Sequence, residues 1–364
     1  MGSTNLMMHI PYATSKIEPE DRAAVLEVLD RNYLTRGKAM REFEEKLCEI
    51  SGKKYAVALS NATVALWAVS RIYNLAEVWS STLTFSAIAN AAGLNNLYLR
   101  LVDVDEDTLC GEMPKAWNGT DDALYVPMDY AGYPSLDTPI PHHGGPKTLL
   151  DAAHSFGATL VDGKSNTYYA DAAVYSFHPA KILTTGEGGA VVTDDERLAD
   201  ELRMLRNNGF KYGTHKIGGL GLNLHLDEMS CALGLSQAKR LPQLLERRRE
   251  IAGFYYKHMG DDHRLILPAW HPGHSWHLWV TRLSESVKCT IEQFQSDLQE
   301  LGVGTQRHYE PLSMKHDLGC PVNSFPIAER AYSRMISIPM YVGLNDNDLT
   351  YVCQSISRTL DKYT

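Results

Sequence analysis

Apolar and polar residues alternate along this chain with two periods, one typical of helices and one of strands. A period near 3.6 residues predicts helices at 18–29, 40–50, after Asn61, and at 194–208, 227–249 and 325–335, with a final helix that carries Leu349 to Leu360. A capping box of Thr290 and Gln293 predicts another helix start. Short apolar runs predict strands at 55–59, 98–104, 124–128, 148–150, 157–161, 172–177, 277–283, 304–308 and 336–339, and one beginning near Val78.

The order of these elements predicts an α/β fold. Strands that alternate with helices are typical of a mostly parallel central sheet flanked by helices. The change in composition after the charged run ERRRE at 246–250 predicts a boundary, with a large α/β domain at 8–250 and a smaller C-terminal α+β domain at 251–364. The run itself is expected to be a solvated face.

Composition limits the classes of function. The 364 residues are 44% hydrophobic and 22% charged, as in a globular protein, and the net charge of −9 argues against a nucleic-acid partner. Six scattered cysteines without metal-ligand spacing indicate no metal site and a reducing, cytoplasmic location. No signal peptide is expected, because no basic segment is followed by an apolar core, and no apolar run is long enough to cross a membrane.

The stretch 171–190, DAAVYSFHPAKILTTGEGGA, has the features of a reactive-lysine site. Pro179 ends a buried strand, and Lys181 follows in a segment rich in glycine and threonine. A lysine that is desolvated in a pocket loses proton affinity and becomes a nucleophile toward carbonyl groups. A lone lysine in such a turn is, however, more often an ordinary surface residue.

Two further positions are candidates for ligand binding. Ser60 and Asn61 follow a strand and can cap a helix, so the free N–H groups near Ala62 and Thr63 can hold an anion, although plain capping explains the same residues. Asp129, Asp151 and Ser176 fall at the ends of predicted parallel strands, where ligands of such sheets bind. Asp151 follows two leucines and is expected to be partly buried.

Together these motifs resemble the DegT/StrS-type nucleotide-sugar aminotransferases, pyridoxal-phosphate enzymes of the fold type I (aspartate aminotransferase) class. The resemblance covers about residues 11–360 and rests on SNAT at 60–63, DAAHSFGA from 151, YSFHPAKILTTGEGGA from 175, RNNGF from 206 and GLGLN ending at 223. It implies that Lys181 forms the Schiff base and moves the proton, and that Asp151 pairs with the pyridine nitrogen of the cofactor. The other cofactor contacts implied are Ala62, Thr63, Phe85, His154, Ser176 and, from the partner subunit of a homodimer, Asn223.

The resemblance also implies a substrate class. SFHPAK at 176–181 and DYAG at 129–132 are most similar to the branch, including the pseudaminic acid pathway transaminase, that aminates C4 of UDP-linked 4-keto-6-deoxy sugars. L-Glutamate is the expected amino donor in a ping-pong reaction. The sequence departs from the family at Asn223-Leu224-His225, where Asn-Tyr-Arg is usual. Candidate substrate contacts are Tyr12, Tyr130, Lys211, His225, His308 and Tyr309.

Two alternatives remain open at this stage. One is a pyridoxal-phosphate-binding protein without turnover that acts as a regulator, which the presence of Lys181, Asp151 and Ser176 disfavours. The other is a transaminase of the same fold that acts on a non-sugar ketone, because the loops that determine specificity cannot be interpreted from one sequence. A serine hydrolase is not supported, because the chain has no GxSxG motif.

Overall fold

The computed structural model describes residues 9–113, 122–137, 146–211, 213–315, 320–321 and 323–364. Its first part alternates helices with strands. In chain order these elements are α1 (Pro19–Asp30), α2 (Lys38–Ser51), β1 (Tyr55–Leu59), α3 (Ala62–Tyr73), β2 (Glu77–Ser81), α4 (Ala87–Leu94), β3 (Tyr98–Val102), β4 (Ala123–Val126), β5 (Lys147–Asp151), β6 (Ala172–Ser176), β7 (Gly189–Thr193), α5 (Glu196–Arg206) and α6 (Glu228–Ala238).

The seven strands form one sheet in the order β1-β7-β6-β5-β4-β2-β3. β2 pairs in parallel with β3 and β4, and the parallel pairing continues through β5 to β6, whereas β7 runs antiparallel between β1 and β6. All residues of β4, β6 and β7 are buried, as expected for strands that helices cover on both faces. The parallel strands bring the carboxyl ends of β5 and β6 side by side.

The later part of the chain builds a smaller layer. It contains α7 (Leu241–Met259), β8 (Leu265–Ile266), β9 (Trp279–Leu283), α8 (Ile291–Glu300), α9 (Leu312–Lys315), α10 (Pro326–Arg334), β10 (Met335–Ile338) and α11 (Asp346–Leu360). β9 lies between β10 and β8 in a three-stranded antiparallel sheet. The Thr290 capping box is present, with the Gln293 N–H donating to Thr290 Oγ1 at 3.2 Å.

The N-terminal segment packs into this later layer. Ile10 is 2% exposed and belongs to the same apolar cluster as Ile251, Phe294 and Leu349. Its N–H donates to Gly302 O at 2.8 Å, and its carbonyl accepts from the Gly304 N–H at 2.8 Å. Ile10 therefore completes a core made otherwise of residues beyond 250.

Three expectations about secondary structure are wrong. The single helix expected at 227–249 is two helices, because α6 ends at Ala238 and a new helix begins at Leu241 with Pro242 in its first turn. Residues 304–308 form no strand and contribute only a bridge between Gln306 and Ser337. Residues 157–161 likewise contribute one bridge, between Thr159 and Ser165.

The run ERRRE is also not wholly solvated. Arg248 is 3% exposed, and its Nη1 donates to the carbonyl oxygens of Trp276, His277 and Met340 at 2.9, 3.2 and 3.0 Å. This residue lies within α7, which runs unbroken across the boundary expected at 250/251. The division into domains at 8–250 and 251–364 stays a prediction. Among the described residues, no helix is both long enough and apolar enough to traverse a bilayer.

Candidate active site

A cavity of about 610 Å³ lies at the carboxyl ends of the central strands. Asp151 is the last residue of β5 and Ser176 the last of β6, while Ala62 and Thr63 open α3 directly after β1. Tyr12, His308 and Tyr309 line the same cavity. Ten of the fourteen candidate residues line this one cavity: Tyr12, Ala62, Thr63, Phe85, Asp151, His154, Ser176, Lys181, His308 and Tyr309.

One wall of the cavity presents three hydrogen-bond donors that have no acceptor within the described chain. The Asn61 side chain caps α3 by accepting from the Val64 N–H at 2.9 Å, which leaves the N–H groups of Ala62 and Thr63 free. The Ser176 hydroxyl, at the end of β6 and separated from β1 by β7, also has no partner in those parts of the chain. Free N–H groups at a helix N-terminus and a hydroxyl form a suitable cradle for a phosphate group.

Backbone crowding explains why this cradle needs a glycine beneath it. A Cβ atom placed on Gly189, the first residue of β7, would lie 2.5 Å from the backbone nitrogen of Ala62. It would also lie 2.5 Å from the carbonyl carbon of Asn61. Only glycine therefore allows β7 to pass this close to the start of α3.

Lys181 and Asp151 both line the cavity, and their charges interact. Burial lowers the pKa of the Lys181 amine from 10.5 to about 8, although the Asp151 carboxylate partly opposes this change. Burial raises the pKa of Asp151 to about 6, against the hydrogen bond from the Ala153 N–H at 3.1 Å and the charge of Lys181. Near neutral pH the lysine therefore loses its proton far more readily than a solvated lysine does.

His154 and Tyr309 meet across the cavity. His154 Nε2 lies 2.8 Å from the Tyr309 hydroxyl oxygen, and the Ala131 N–H donates to His154 Nδ1 at 3.3 Å. Burial and the charge of Lys181 hold the pKa of His154 well below its usual range, so the imidazole is neutral. The Tyr309 ring also packs against Phe85, with centroids 5.5 Å apart.

Phe85 and the pair Tyr12 and His308 form the remaining wall. The Phe85 side chain is 50% exposed, which leaves an aromatic surface on which a planar ring can stack. The Tyr12 hydroxyl is 3.4 Å from His308 Nε2, and His308 Nδ1 is 2.8 Å from Ser337 Oγ. Burial, with Lys181 nearby, lowers the pKa of His308 to about 4.

Four of the predicted site residues do not line the cavity. Tyr130 is 1% exposed and its hydroxyl donates to the His308 carbonyl oxygen, so it lies behind the wall. Lys211 and Asn223 are exposed elsewhere on the surface. His225 lines a separate cavity of about 330 Å³ and approaches Asn207 Oδ1 at 3.2 Å. The role predicted for Asn223 involves a partner subunit, whereas Tyr130, Lys211 and His225 were predicted to contact the substrate. All four roles stay predictions.

The cavity also contains residues that the sequence analysis missed. His277 is 4% exposed, its ring lies 4.5 Å from that of His154, and its Nδ1 has no partner among the described residues. Glu187 and His178, which flank Lys181 in the glycine-rich stretch, line the cavity as well. Proximity in sequence to Lys181 pointed to Glu187 and His178. His277 lies two residues before β9, and no sequence signal distinguishes it from a structural histidine.

These side chains fit pyridoxal phosphate. The unpartnered donors of Ala62, Thr63 and Ser176 suit its phosphate, Phe85 offers a face for its ring, and Asp151 suits a protonated ring nitrogen. Lys181 is the amine available to its aldehyde. The described residues contain no cluster of side chains suited to a metal ion.

Comparisons with known proteins identify the family to which the chain belongs. A family model, the DegT/DnrJ/EryC1/StrS aminotransferase family, matches residues 15–357. The UDP-4-amino-4,6-dideoxy-N-acetyl-beta-L-altrosamine transaminase of Campylobacter jejuni (serotype O:23/36) is 31% identical, with 97% of this chain and 98% of the relative covered. The spore coat polysaccharide biosynthesis protein SpsC of Bacillus subtilis is 29% identical over 95% of this chain and 96% of its own.

A solved structure extends the likeness to three dimensions. Helicobacter pylori PseC, described as an aminotransferase of pseudaminic acid biosynthesis, superposes with a TM-score of 0.90 at 27% identity, covering 98% of this chain and 100% of PseC. The chain therefore belongs to the DegT/DnrJ/EryC1/StrS aminotransferase family. Members of this family depend on pyridoxal phosphate. The predicted family, α/β fold, aminotransferase activity and cofactor are confirmed.

Proposed function

We propose that this protein transfers the amino group of L-glutamate to C4 of a nucleotide-linked 4-keto-6-deoxy sugar. The observation that carries the proposal is that Lys181 and Asp151 line the same cavity as the unpartnered donors of Ala62, Thr63 and Ser176. The substrate class is supported by the relatives, since the Campylobacter protein is named as a transaminase of a 4-amino-4,6-dideoxy sugar nucleotide. Neither alternative, a regulator without turnover or an enzyme for non-sugar ketones, has support from the comparisons.

The side chains have separate tasks in this reaction. Pyridoxal phosphate, when bound, supplies an electron-accepting ring and a carbonyl carbon that carries the amino group between the two substrates. Lys181 Nζ, with its pKa near 8, can take a proton from a substrate carbon and return it. Asp151, anionic at neutral pH, stabilises positive charge facing it. The backbone of Ala62 and Thr63 fixes the phosphate end.

The reaction is tested in its two halves. With stoichiometric purified holoenzyme and L-glutamate, we expect one equivalent of 2-oxoglutarate per active site. After removal of free amino acid, a UDP-linked 4-keto-6-deoxy sugar should be converted to the amino sugar, as measured by mass spectrometry. Lys181→Ala should abolish both halves, and Lys164→Ala, an exposed lysine paired with Asp162, should change neither.

Each contrary result has a definite meaning. If glutamate releases no 2-oxoglutarate while other amino acids do, the donor assignment is wrong. Amino transfer from glutamate to simple 2-oxo acids but to no nucleotide sugar would contradict the sugar assignment. Borohydride reduction followed by peptide mapping should place the pyridoxyl mark on Lys181, and a mark on another lysine would overturn the mechanism.

We also propose a homodimer with shared active sites and a cytoplasmic location. The dimer accounts for the position of Asn223, which the family resemblance assigns to the partner's phosphate but which lies outside this chain's own cavity. Mixing two inactive variants, Lys181→Ala and Asn223→Ala, should restore about a quarter of the wild-type sites if subunits exchange freely. No recovery in subunit-exchanged mixtures would contradict sharing.

A further inference from the structure

The hydrogen bonds around His154 have a fixed direction. Neutral imidazole has one protonated nitrogen and one acceptor nitrogen. Because the Ala131 N–H can only donate, and it points at His154 Nδ1, that nitrogen must be the acceptor. The proton of His154 therefore resides on Nε2, the atom 2.8 Å from the Tyr309 hydroxyl oxygen.

This direction determines what the Tyr309 hydroxyl can do. Since His154 Nε2–H donates to the tyrosine oxygen, Tyr309 cannot donate back to His154. The described chain contains no other hydrogen-bond partner for this hydroxyl. The residue lines the cavity, and its own proton is left for whatever occupies that space. Burial raises the pKa of Tyr309 well above its usual range, so the proton stays in place at working pH.

We propose that the Ala131–His154–Tyr309 chain locks Tyr309 as a hydrogen-bond donor to an oxygen atom of the ligand bound beside Lys181. The inference rests on the proposed function for the identity of that ligand, whose oxygen belongs either to the ring hydroxyl of the cofactor or to a substrate. Both sources supply the same chemistry, an oxygen that accepts a hydrogen bond. No proton is transferred, so Tyr309 acts as a positioning residue.

The arrangement also explains how the two sides of the cavity recognise one ligand. Ala131 and His154 come from the part of the chain that forms the central sheet, whereas Tyr309 comes from the later layer. The backbone N–H of Ala131, which is fixed by the fold, determines the tautomer of the His154 imidazole. The imidazole in turn determines the direction in which the Tyr309 hydroxyl donates. The donor at the end of this chain is oriented before any ligand arrives, which limits the entropy lost on binding.

The first test observes the tautomer directly. Long-range proton–nitrogen NMR on holoenzyme with ¹⁵N-labelled histidine, with His154 assigned by the loss of its signals in His154→Gln, should show Nδ1 unprotonated and Nε2 protonated. The opposite tautomer, or a doubly protonated ring at neutral pH, would overturn the proposal. This measurement needs no turnover, so it distinguishes failure of this inference from failure of the proposed sugar aminotransferase activity.

The second test removes the donor. Tyr309→Phe keeps the ring that packs on Phe85 and deletes only the hydroxyl, and Tyr168→Phe, at an exposed tyrosine, is the matched control. If the acceptor is the cofactor, the absorption spectrum of the Tyr309→Phe holoenzyme shifts and its cofactor dissociation constant rises about threefold to tenfold. If the acceptor is a substrate, spectrum and cofactor affinity stay unchanged and kcat/KM of one half-reaction falls by a similar factor.

Two variants of His154 separate the effect of hydrogen-bond direction from the effect of packing. His154→Gln places an amide that can accept at one end and donate at the other, whereas His154→Leu can do neither. We expect Tyr309→Phe to change either the spectrum or the kinetics. His154→Gln should stay closer to the wild type in that same property than His154→Leu does. If Tyr309→Phe matches the wild type in spectrum, cofactor affinity and both half-reactions, the hydroxyl donates to no ligand and the proposal is wrong.

Discussion

Replacement of Lys181 by methionine should make the cofactor-free protein more stable at pH 7. The lysine is held in a desolvated position that lowers its pKa from 10.5 to about 8, so its charge is less favourable in the folded than in the unfolded chain. A shift of this size corresponds to about 3 kcal/mol. Because the amine borders an open cavity and solvent screens part of its charge, we expect a net gain on the order of 2 kcal/mol in the free energy of unfolding.

The sign of the pH dependence follows from the direction of the shift. A lysine whose pKa is lowered on folding destabilises the protein fully at pH values below the folded pKa, where it is protonated in both states. The penalty disappears as the pH rises from about 8 to 10.5. The advantage of Lys181→Met should therefore be largest at pH 6–7 and fall below about 1 kcal/mol at pH 10.

Urea unfolding of the cofactor-free proteins at pH 7 and pH 10, followed by circular dichroism, measures both quantities. Lys147→Met is the matched control, because Lys147 is exposed and its amine pairs with Asp171 at 3.1 Å, an ion pair worth little. It should change the free energy of unfolding by less than about 1 kcal/mol. No gain for Lys181→Met at pH 7, or a gain that is as large at pH 10, would refute the claim that the fold desolvates this amine.

Three other substitutions test the remaining parts of the site. Gly189→Ala should weaken cofactor binding at least about tenfold by displacing the start of α3, whereas Gly93→Ala, whose Cβ meets nothing within 4 Å, should leave the cofactor titration unchanged. Asn61→Ala should cost about 1 kcal/mol of unfolding free energy through the lost cap, and Asn61→Asp should restore most of it; equal stability of all three proteins would contradict this. Asp151→Asn should lower the pKa of Lys181 further, because it removes the negative charge that favours the protonated amine. Acylation of that lysine in the cofactor-free protein, measured against pH, should then reach half its maximum below pH 8. A midpoint that is unchanged or higher would show that the two groups do not interact.

Local signals in the sequence predicted the parts of the fold that depend on local chemistry. The cap of α3 follows from Asn61, and the end of α2 follows from Gly52, which adopts a φ of 71°. Asp151 and Ser176 could be placed in the cavity because the carboxyl ends of parallel strands share one edge of a sheet. The break between α6 and α7 was missed because the apolar pattern continues through it, although Pro242 marked the new start.

Tertiary packing decided what the sequence could not show. Arg248 is in a charged run typical of a solvated face, yet three carbonyl groups that come together only in the folded chain surround its guanidinium. His277, two residues before β9, lines the cavity, and no spacing along the chain reveals this position. The direction of the His154 hydrogen bonds could not be predicted either, because it depends on the Ala131 N–H, 23 residues away in sequence.

The placement of Ile10 in the core of the later layer has a mechanical consequence. From Ile10 in that layer the chain crosses to the central sheet before α1 and returns through α7, so two covalent links join the two parts. A second covalent link restricts the relative movement of the two parts more than a single link would. Opening of the cavity, which Tyr12 and Lys181 both line, is therefore least hindered as a rotation about the line through the two links, and a displacement of one part past the other is more hindered.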